Sequence, residues 1–266
     1  NDSDNDSDND SDNDSDNDSD NDSDNDSDND SDEDTIDKEI EDGLNFDDII
    51  KAIDEVMVGM EKKERTMTDL EKRTVSYHEA GHCLISYLIK QVSSPVKTSI
   101  IPRGEAALGF SQPEPEDKKL YNKEELFARL CVLYAGRGAE EIKFKCITTG
   151  ASDDIDKATK LVYSMVNVYG MTEGIGLINT TVIESQFKGI ISDNKKTTID
   201  KLVSQITTSA YKITKDFITS HKNDLEAIAQ FLLDKEVLTK YDMEELFKEK
   251  NIKNSIDITN FMDFSI

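Results

Sequence analysis

No stretch of the 266-residue sequence reaches the roughly 18 to 20 consecutive apolar residues that cross a bilayer, and no charged-then-apolar signal segment opens it. The chain as given is therefore expected to be soluble. It starts with Asn, and the expectation is a piece of a longer product whose targeting and membrane segments lie upstream. No run of Lys and Arg exceeds three residues and the net charge is −26, whereas nucleic-acid modules carry a clustered basic face; nucleic acid is not an expected partner. No C-x-x-C occurs. The three cysteines, Cys83, Cys131 and Cys146, are an odd number without thiolate-ligand spacing, which suits buried thiols in a reducing compartment. No G-x-x-x-x-G-K-[ST] occurs either, so no nucleotide-binding loop is visible.

The first 32 residues, eight copies of "NDSD", contain no apolar side chain. Such a tract buries nothing to offset chain entropy, and residues 1–42 read as a disordered tail or linker. Calcium binding is excluded by chemistry, because an EF-hand loop needs a glycine turn and a terminal glutamate. Without the 16 Asp of that tract, 41 acidic face 31 basic residues, a net of −10, so the remainder is only moderately acidic.

From Phe46 onward, Ile49, Ile50, Ile53, Val56 and Met57 recur at helical spacing and predict an amphipathic helix ending near Gly59. Thr68 and Glu71 have the spacing of a capping box, and a long helix is predicted from Asp69 to Ile89. The stretch "VKTSIIPRGEAALGFSQPEPED" is rich in β-branched residues, Gly and Pro, and reads as a short strand or hairpin with a loop. Helix is predicted again over Leu120–Phe144 and from Ser152 to a stop at Gly170, then along the stripe Ile199, Leu202, Ile206, Ile213 and Phe217. Shorter helices follow over Leu225–Leu233 and Asp242–Lys248. These stripes are ordinary core faces, and the fold class is mainly α with one small β element. The last dozen residues carry no signal.

Within the long helix lies "HEAGH". Four residues of helix separate His78 from His82 by about 6 Å of rise and about 40° of rotation, so both imidazoles reach one ion, and Glu79 lies close enough to hold a water beside it. The arrangement is that of a zinc hydrolase. Three histidines in 266 residues make a chance H-E-x-x-H rare. A catalytic zinc takes a third protein ligand and keeps its fourth position open. A metzincin continuation fails, because its Gly and third His positions hold Ile85 and Leu88. Glu140, Glu141, Asp153, Asp154 and His221 remain candidates, and spacing does not choose among them. Each acidic pair also has a plain reading: Glu140 and Glu141 as a solvated face, Asp153 and Asp154 as first-turn carboxylates favoured by the helix dipole.

"HEAGH", "IIPRG", "AGRGAEEI" and "TTGASDDIDKAT" with "YGMTEGIG" follow the order and approximate spacing of the peptidase domain of the FtsH family, membrane-bound ATP-dependent zinc proteases. "DDIIKAIDEVMVGMEKK" resembles the segment joining that family's ATPase to its peptidase. The resemblance covers about Phe46 to Lys248. It implies 43–66 as the end of an ATPase lid and connector, 67–250 as a helical zinc peptidase domain with an edge strand near the active site, and 251–266 as a C-terminal tail. It implies Zn2+ held by His78, His82 and Asp154, with Glu79 as general base. It also implies an edge strand that pairs with substrate, placed at Ile100, Ile101 and Gly109. ATP would act only through an upstream module absent from this chain. Unfolded or misfolded proteins are the implied substrates in protein quality control, a homo- or hetero-hexamer the implied assembly, and a mitochondrial or plastid membrane, reached through segments absent here, the implied location. Asp153 stands where the family usually has Asn. Pro113 and Glu114 replace apolar residues, and proline lacks the N–H that a substrate ladder uses. A catalytically silent assembly remnant is the competing reading, and a free-standing peptidase without an ATPase a third. The presence of all three ligands and the base weighs against the remnant, and the "DDIIKAIDEVMVG" segment against the third.

Overall fold

The computed structural model describes residues 67–103 and 108–262, with positions 49, 52, 53, 55, 56, 59 and 60 ahead of them. Residues 1–50 and 51–266 form separate units, and every element named below lies in the second. The expected "NDSD" tail lies outside the described residues, as does most of the connector. Ile49, Ala52, Ile53, Glu55 and Val56 are helical, and the Gly59 N–H donates to the Glu55 carbonyl at 3.0 Å.

Helix α1 (Asp69–Leu88) starts as its sequence demands. The Thr68 side chain accepts from the Glu71 N–H, and the Glu71 carboxylate accepts from the Thr68 N–H, so two of the first turn's orphan donors are satisfied. The second half of α1 is buried almost all round, with Tyr77, Ala80, Leu84, Ile85 and Leu88 at 2% exposure or less, which makes it the central element. It packs chiefly on α3 (Ala135–Phe144) and α7 (Lys222–Lys235). The approach to α3 needs glycine: a Cβ on Gly81 would stand 2.6 Å from the Ala135 carbonyl oxygen and 2.8 Å from the Ala139 Cβ.

The single helix predicted over Leu120–Phe144 is two, α2 (Lys123–Leu133) and α3. They join at Tyr134, which has ψ −5° and whose N–H turns to both the Leu130 and Val132 carbonyls. The bend lets α2 pack on α4 (Ser152–Asn167) and α6 (Asp193–Ser220) while α3 lies along α1. Helix α5 (Thr180–Gln186) lies between the stop at Gly170 and the stripe from Ile199, where no element is predicted; it is seven residues long and capped by Asn179. Helix α8 (Lys240–Glu249) follows a capping box at Thr239 and Asp242.

The predicted hairpin is present as β1 (Pro95–Ser99) and β2 (Phe110–Pro113), paired antiparallel. A third strand, β3 (Val237–Thr239), pairs antiparallel with the other side of β1, giving the order β2-β1-β3. Three residues are too few to show a period of two, which is why β3 leaves no mark in the sequence. The last residues return to the end of α1. Ile256 exchanges backbone hydrogen bonds with Leu88 and Lys90 at 3.0 Å each, Gln91 grips Asp257 and the Ile258 N–H, and Ile258 is fully buried.

Candidate metal centre

Three elements bring the site together. Helix α1 presents His78, Glu79 and His82 on adjacent turns, all buried. A short turn over Thr149–Ala151, capped by the Thr148 side chain, leads into α4 and sets Asp153 and Asp154 in its first turn. Of these neighbouring acids, Asp154 keeps 17% side-chain exposure and faces the histidines, whereas Asp153 keeps 75% and pairs with Lys157 at 2.6 Å. His78 Nε2 and His82 Nε2 are 3.1 Å apart, and each is 3.2 Å from Asp154 Oδ2.

That triangle fits a zinc ion. Tetrahedral bonds of about 2.0–2.1 Å set neighbouring donor atoms about 3.3 Å apart. The protonation pattern fits as well. His82 Nδ1 is 2.8 Å from the Val132 carbonyl oxygen, which only accepts, and His78 Nδ1 is 2.7 Å from Glu140 Oε1. Both Nδ1 atoms therefore carry the proton, and in neutral rings both Nε2 lone pairs converge on a carboxylate oxygen. Three lone pairs pointing at one spot call for a cation. Without an ion the site supplies a proton instead: burial opposes charge on His78, but the carboxylates of Asp154 and Glu140 outweigh it and lift the imidazole to about 10. Burial likewise pushes against ionised Asp154, and the two imidazoles overcome it, holding that carboxyl well below its usual range.

Glu140 is no solvated face residue. It is 1% exposed, and its second oxygen accepts from the Thr148 N–H at 2.8 Å, so it ties the ring of His78 to the turn that positions Asp154. Glu141 points elsewhere, to Lys215 at 2.5 Å and to Tyr211, and His221 pairs with Asp224 at the junction of α6 and α7. Burial pushes the Glu79 carboxyl up, the direction a base needs if it is to hold a proton near neutral pH.

Two glycines build the walls. A Cβ on Gly136 would fall 2.4 Å from His78 Cε1 and Nε2, and one on Gly109 would fall 2.8 Å from Glu79 Cγ and Oε1. The motif "AGRGAEEI" thus supplies both a glycine beneath the ring of His78 and the carboxylate that orients it. Neither role shows in the sequence, because a glycine has no pattern of its own and Glu140 looks like its neighbour.

A cleft of about 1440 Å³ opens over these groups, lined by the exposed side of α1, by β2 and by faces of α2 and α4. Of the residues expected at the edge, Gly109 lines the cleft directly ahead of β2, while Ile100 and Ile101 lie off the edge. Those two residues follow β1, whose sides are taken by β2 and β3, and Ile100 is 1% exposed. The Ile100 N–H donates to the Glu236 carbonyl at 2.9 Å, which fixes the alternation: Thr98 turns its backbone N–H and C=O to β3, and Lys97 and Ser99 turn theirs to β2. Their partners Gln112 and Phe110 face β1, so Ser111 and Pro113 face outward. The proline sits where a missing N–H breaks no bond within the sheet.

A helix-borne H-E-x-x-H, a downstream aspartate closing the triangle and an edge strand along the cleft define a zinc metallopeptidase. The chain belongs to peptidase family M41, whose model matches residues 65–246. It is 39% identical over 213 residues to the ATP-dependent zinc metalloprotease FTSH 10, mitochondrial, of Arabidopsis thaliana, covering 80% of this chain and 26% of that protein. It is 38% identical over 217 residues to the ATP-dependent zinc metalloprotease FtsH of Chlorobium luteolum, covering 79% and 31%. It is also 38% identical over 216 residues to the mitochondrial inner membrane m-AAA protease component AFG3L2 of Mus musculus, covering 79% and 26%. The chain thus spans roughly a quarter to a third of these relatives.

Proposed function

We propose that residues 67–250 form a zinc endopeptidase domain that cuts unfolded polypeptide, with His78, His82 and Asp154 as the metal ligands and Glu79 as the general base. The observation that carries this is the convergence of His78 Nε2, His82 Nε2 and Asp154 Oδ2 within 3.2 Å of one another, on the same helix as a buried glutamate and under an open cleft. A zinc ion held there supplies Lewis acidity to the scissile carbonyl and to an attacking water. Glu79 takes the water's proton and returns it to the leaving amine, and its raised carboxyl suits it to both steps. The Val132 carbonyl and Glu140 fix both imidazoles, so their Nε2 atoms need no reorganisation. An extended peptide would lie along β2, which offers the outward N–H of Ser111 and only a carbonyl at Pro113. A site shaped for an extended backbone selects unfolded segments.

The longer relatives supply the wider reading. ATP dependence and a mitochondrial membrane are drawn from the names of the mitochondrial relatives; hexameric assembly and an ATPase module in a longer product rest on the family resemblance. Among the described residues no helix is long and apolar enough to cross a membrane.

The test is cleavage of a short unstructured fluorogenic peptide by the purified, zinc-loaded chain, with and without chelator. Glu79→Gln should retain zinc and lose turnover by roughly 10²- to 10⁴-fold. Cleavage at the wild-type rate by the Gln variant would remove Glu79 from the role, and a zinc-loaded wild type that cuts nothing would favour the silent remnant.

A further inference from the structure

We infer that Arg129 forms a carboxylate-recognising subsite in the cleft, favouring peptides with an acidic side chain or a free C-terminal carboxylate a few residues from the scissile bond. The inference rests on the peptidase reading above and adds a substrate preference to it.

The cleft is lined by many charges, and nearly all have partners on this chain. Asp153 pairs with Lys157 at 2.6 Å, Glu114 with Lys240 at 2.9 Å, and Glu116 accepts from Ser93. Glu125 is the residue that would ordinarily pair with Arg129, one turn away at i,i+4. Its carboxylate is taken, by Lys118 and by the Asn122 N–H at 2.9 Å. Among the described residues, the cleft's two cationic lining residues besides its histidines are Lys157 and Arg129. Lys157 is committed to Asp153, and among the described residues Arg129 has no hydrogen bond or ion pair.

Arg129 is nonetheless held in place. Its guanidinium carbon lies 3.8 Å from the centre of the Tyr121 ring, and the Tyr121 hydroxyl donates to the Lys118 carbonyl at 2.9 Å. Stacking occupies one face of the guanidinium and leaves the in-plane N–H donors, the fork that matches a carboxylate. A cation fixed by an aromatic ring and lining a cleft, attracted through space by Glu125 but hydrogen-bonded to no carboxylate among the described residues, is prepared for an anion that arrives with the substrate.

Its position sets the range. Arg129 precedes Val132 on α2 by three residues, about 4.5 Å of rise, and the Val132 carbonyl oxygen is 2.8 Å from His82 Nδ1. Arg129 and His82 line the same cleft, so an extended peptide, advancing roughly 3.3 Å per residue, would meet the guanidinium within a few residues of the bond being cut.

The test uses the full zinc-loaded chain and a set of fluorogenic decapeptides, amidated at the C-terminus, in which Glu or Gln is walked through four positions on each side of the cleaved bond. A further pair differs only in a free or amidated C-terminus. The expected result is a Glu-over-Gln preference in kcat/KM of about two- to fivefold at one or two neighbouring positions, the size of a partly exposed ion pair. It should be carried by KM and shrink as salt rises. A preference in the terminal pair alone would assign the subsite to the C-terminal carboxylate. Arg129→Gln should bring the ratio towards 1, and Arg129→Lys should keep part of it. Equal cleavage of Glu and Gln peptides at every position, with no preference in the terminal pair, overturns the subsite, as does a ratio that survives Arg129→Gln. Binding of the same labelled peptides to the Glu79→Gln protein reads the preference without turnover. A Glu preference in binding with no cleavage by the wild type would keep the subsite and sink the peptidase reading; cleavage without preference does the reverse.

Discussion

At the scale of single residues, the site depends on groups that do no chemistry themselves. The ring of His78 lies across the bare Cα of Gly136, where an added Cβ would stand 2.4 Å from two of its atoms. Gly136→Ala must therefore swing the imidazole out of the triangle it forms with His82 and Asp154. We expect zinc affinity to fall by roughly 10- to 100-fold or more, measured by competition with a chelating dye, while the circular dichroism of the helices is kept. An unchanged affinity would mean that the ring has room the distances deny. The histidines were legible in the sequence because a spacing of four on a helix is a geometric statement. The choice of Asp154 among five acidic or histidine candidates was not legible from spacing and came from family resemblance. In the structure Asp154 faces the histidines while Asp153 points to Lys157, a distinction set by rotation about α4. The plain reading of Glu140 and Glu141 as a solvated face fails for Glu140, since burial of one of two adjacent glutamates depends on what packs over it.

At the scale of elements, the helices were legible where periodicity ran long, as in α1 and α6, and the capping box at Thr68 and Glu71 marked a start that the structure shares. What stayed hidden was whatever depends on distant partners: the bend at Tyr134, strand β3, and the return of the last residues to α1. That return has a measurable consequence. Residues 252–262 hold the end of α1 through the Ile256 ladder and the two bonds of Gln91, touch α6 through the Phe217–Phe261 ring contact at 4.9 Å, and bury Ile252 and Ile258. Burial of two isoleucines alone is worth up to about 3–6 kcal/mol, a large part of the 5–15 kcal/mol typical of a domain. Truncation after Asn251 should lower the urea midpoint sharply. Because the strap is tied to the helix bearing His78 and His82, zinc affinity should fall with it. A truncated chain as stable as the full one would make the segment an ornament of the surface.

At the scale of the whole molecule, the core is built around α1, and several weak acids lie in it or packed against it away from the metal centre. Burial pushes the Cys131 thiol up to about 12. It also raises the Tyr134 hydroxyl, and burial with the Glu141 carboxylate lifts Tyr211 to about 12. Each of these groups holds its proton more tightly folded than unfolded. Their contribution is fully present below the unfolded values, about 9 for the thiol and 10 for the phenols, and is lost as pH climbs towards the folded ones, because the unfolded chain alone releases protons. With zinc on the site in place of the His78 proton, stability should therefore be level from about pH 7 to 8 and fall between about pH 9 and 12, seen as a falling urea midpoint. Thiol counting gives an independent reading of the same core: in the native protein Cys146 is exposed while Cys83 and Cys131 are buried. One thiol should react promptly at pH 8 and the other two only after unfolding. Prompt reaction of all three, or a urea midpoint flat to pH 11, would mean that α1 and α2 do not share the sealed interior that holds the histidine-bearing turns in place.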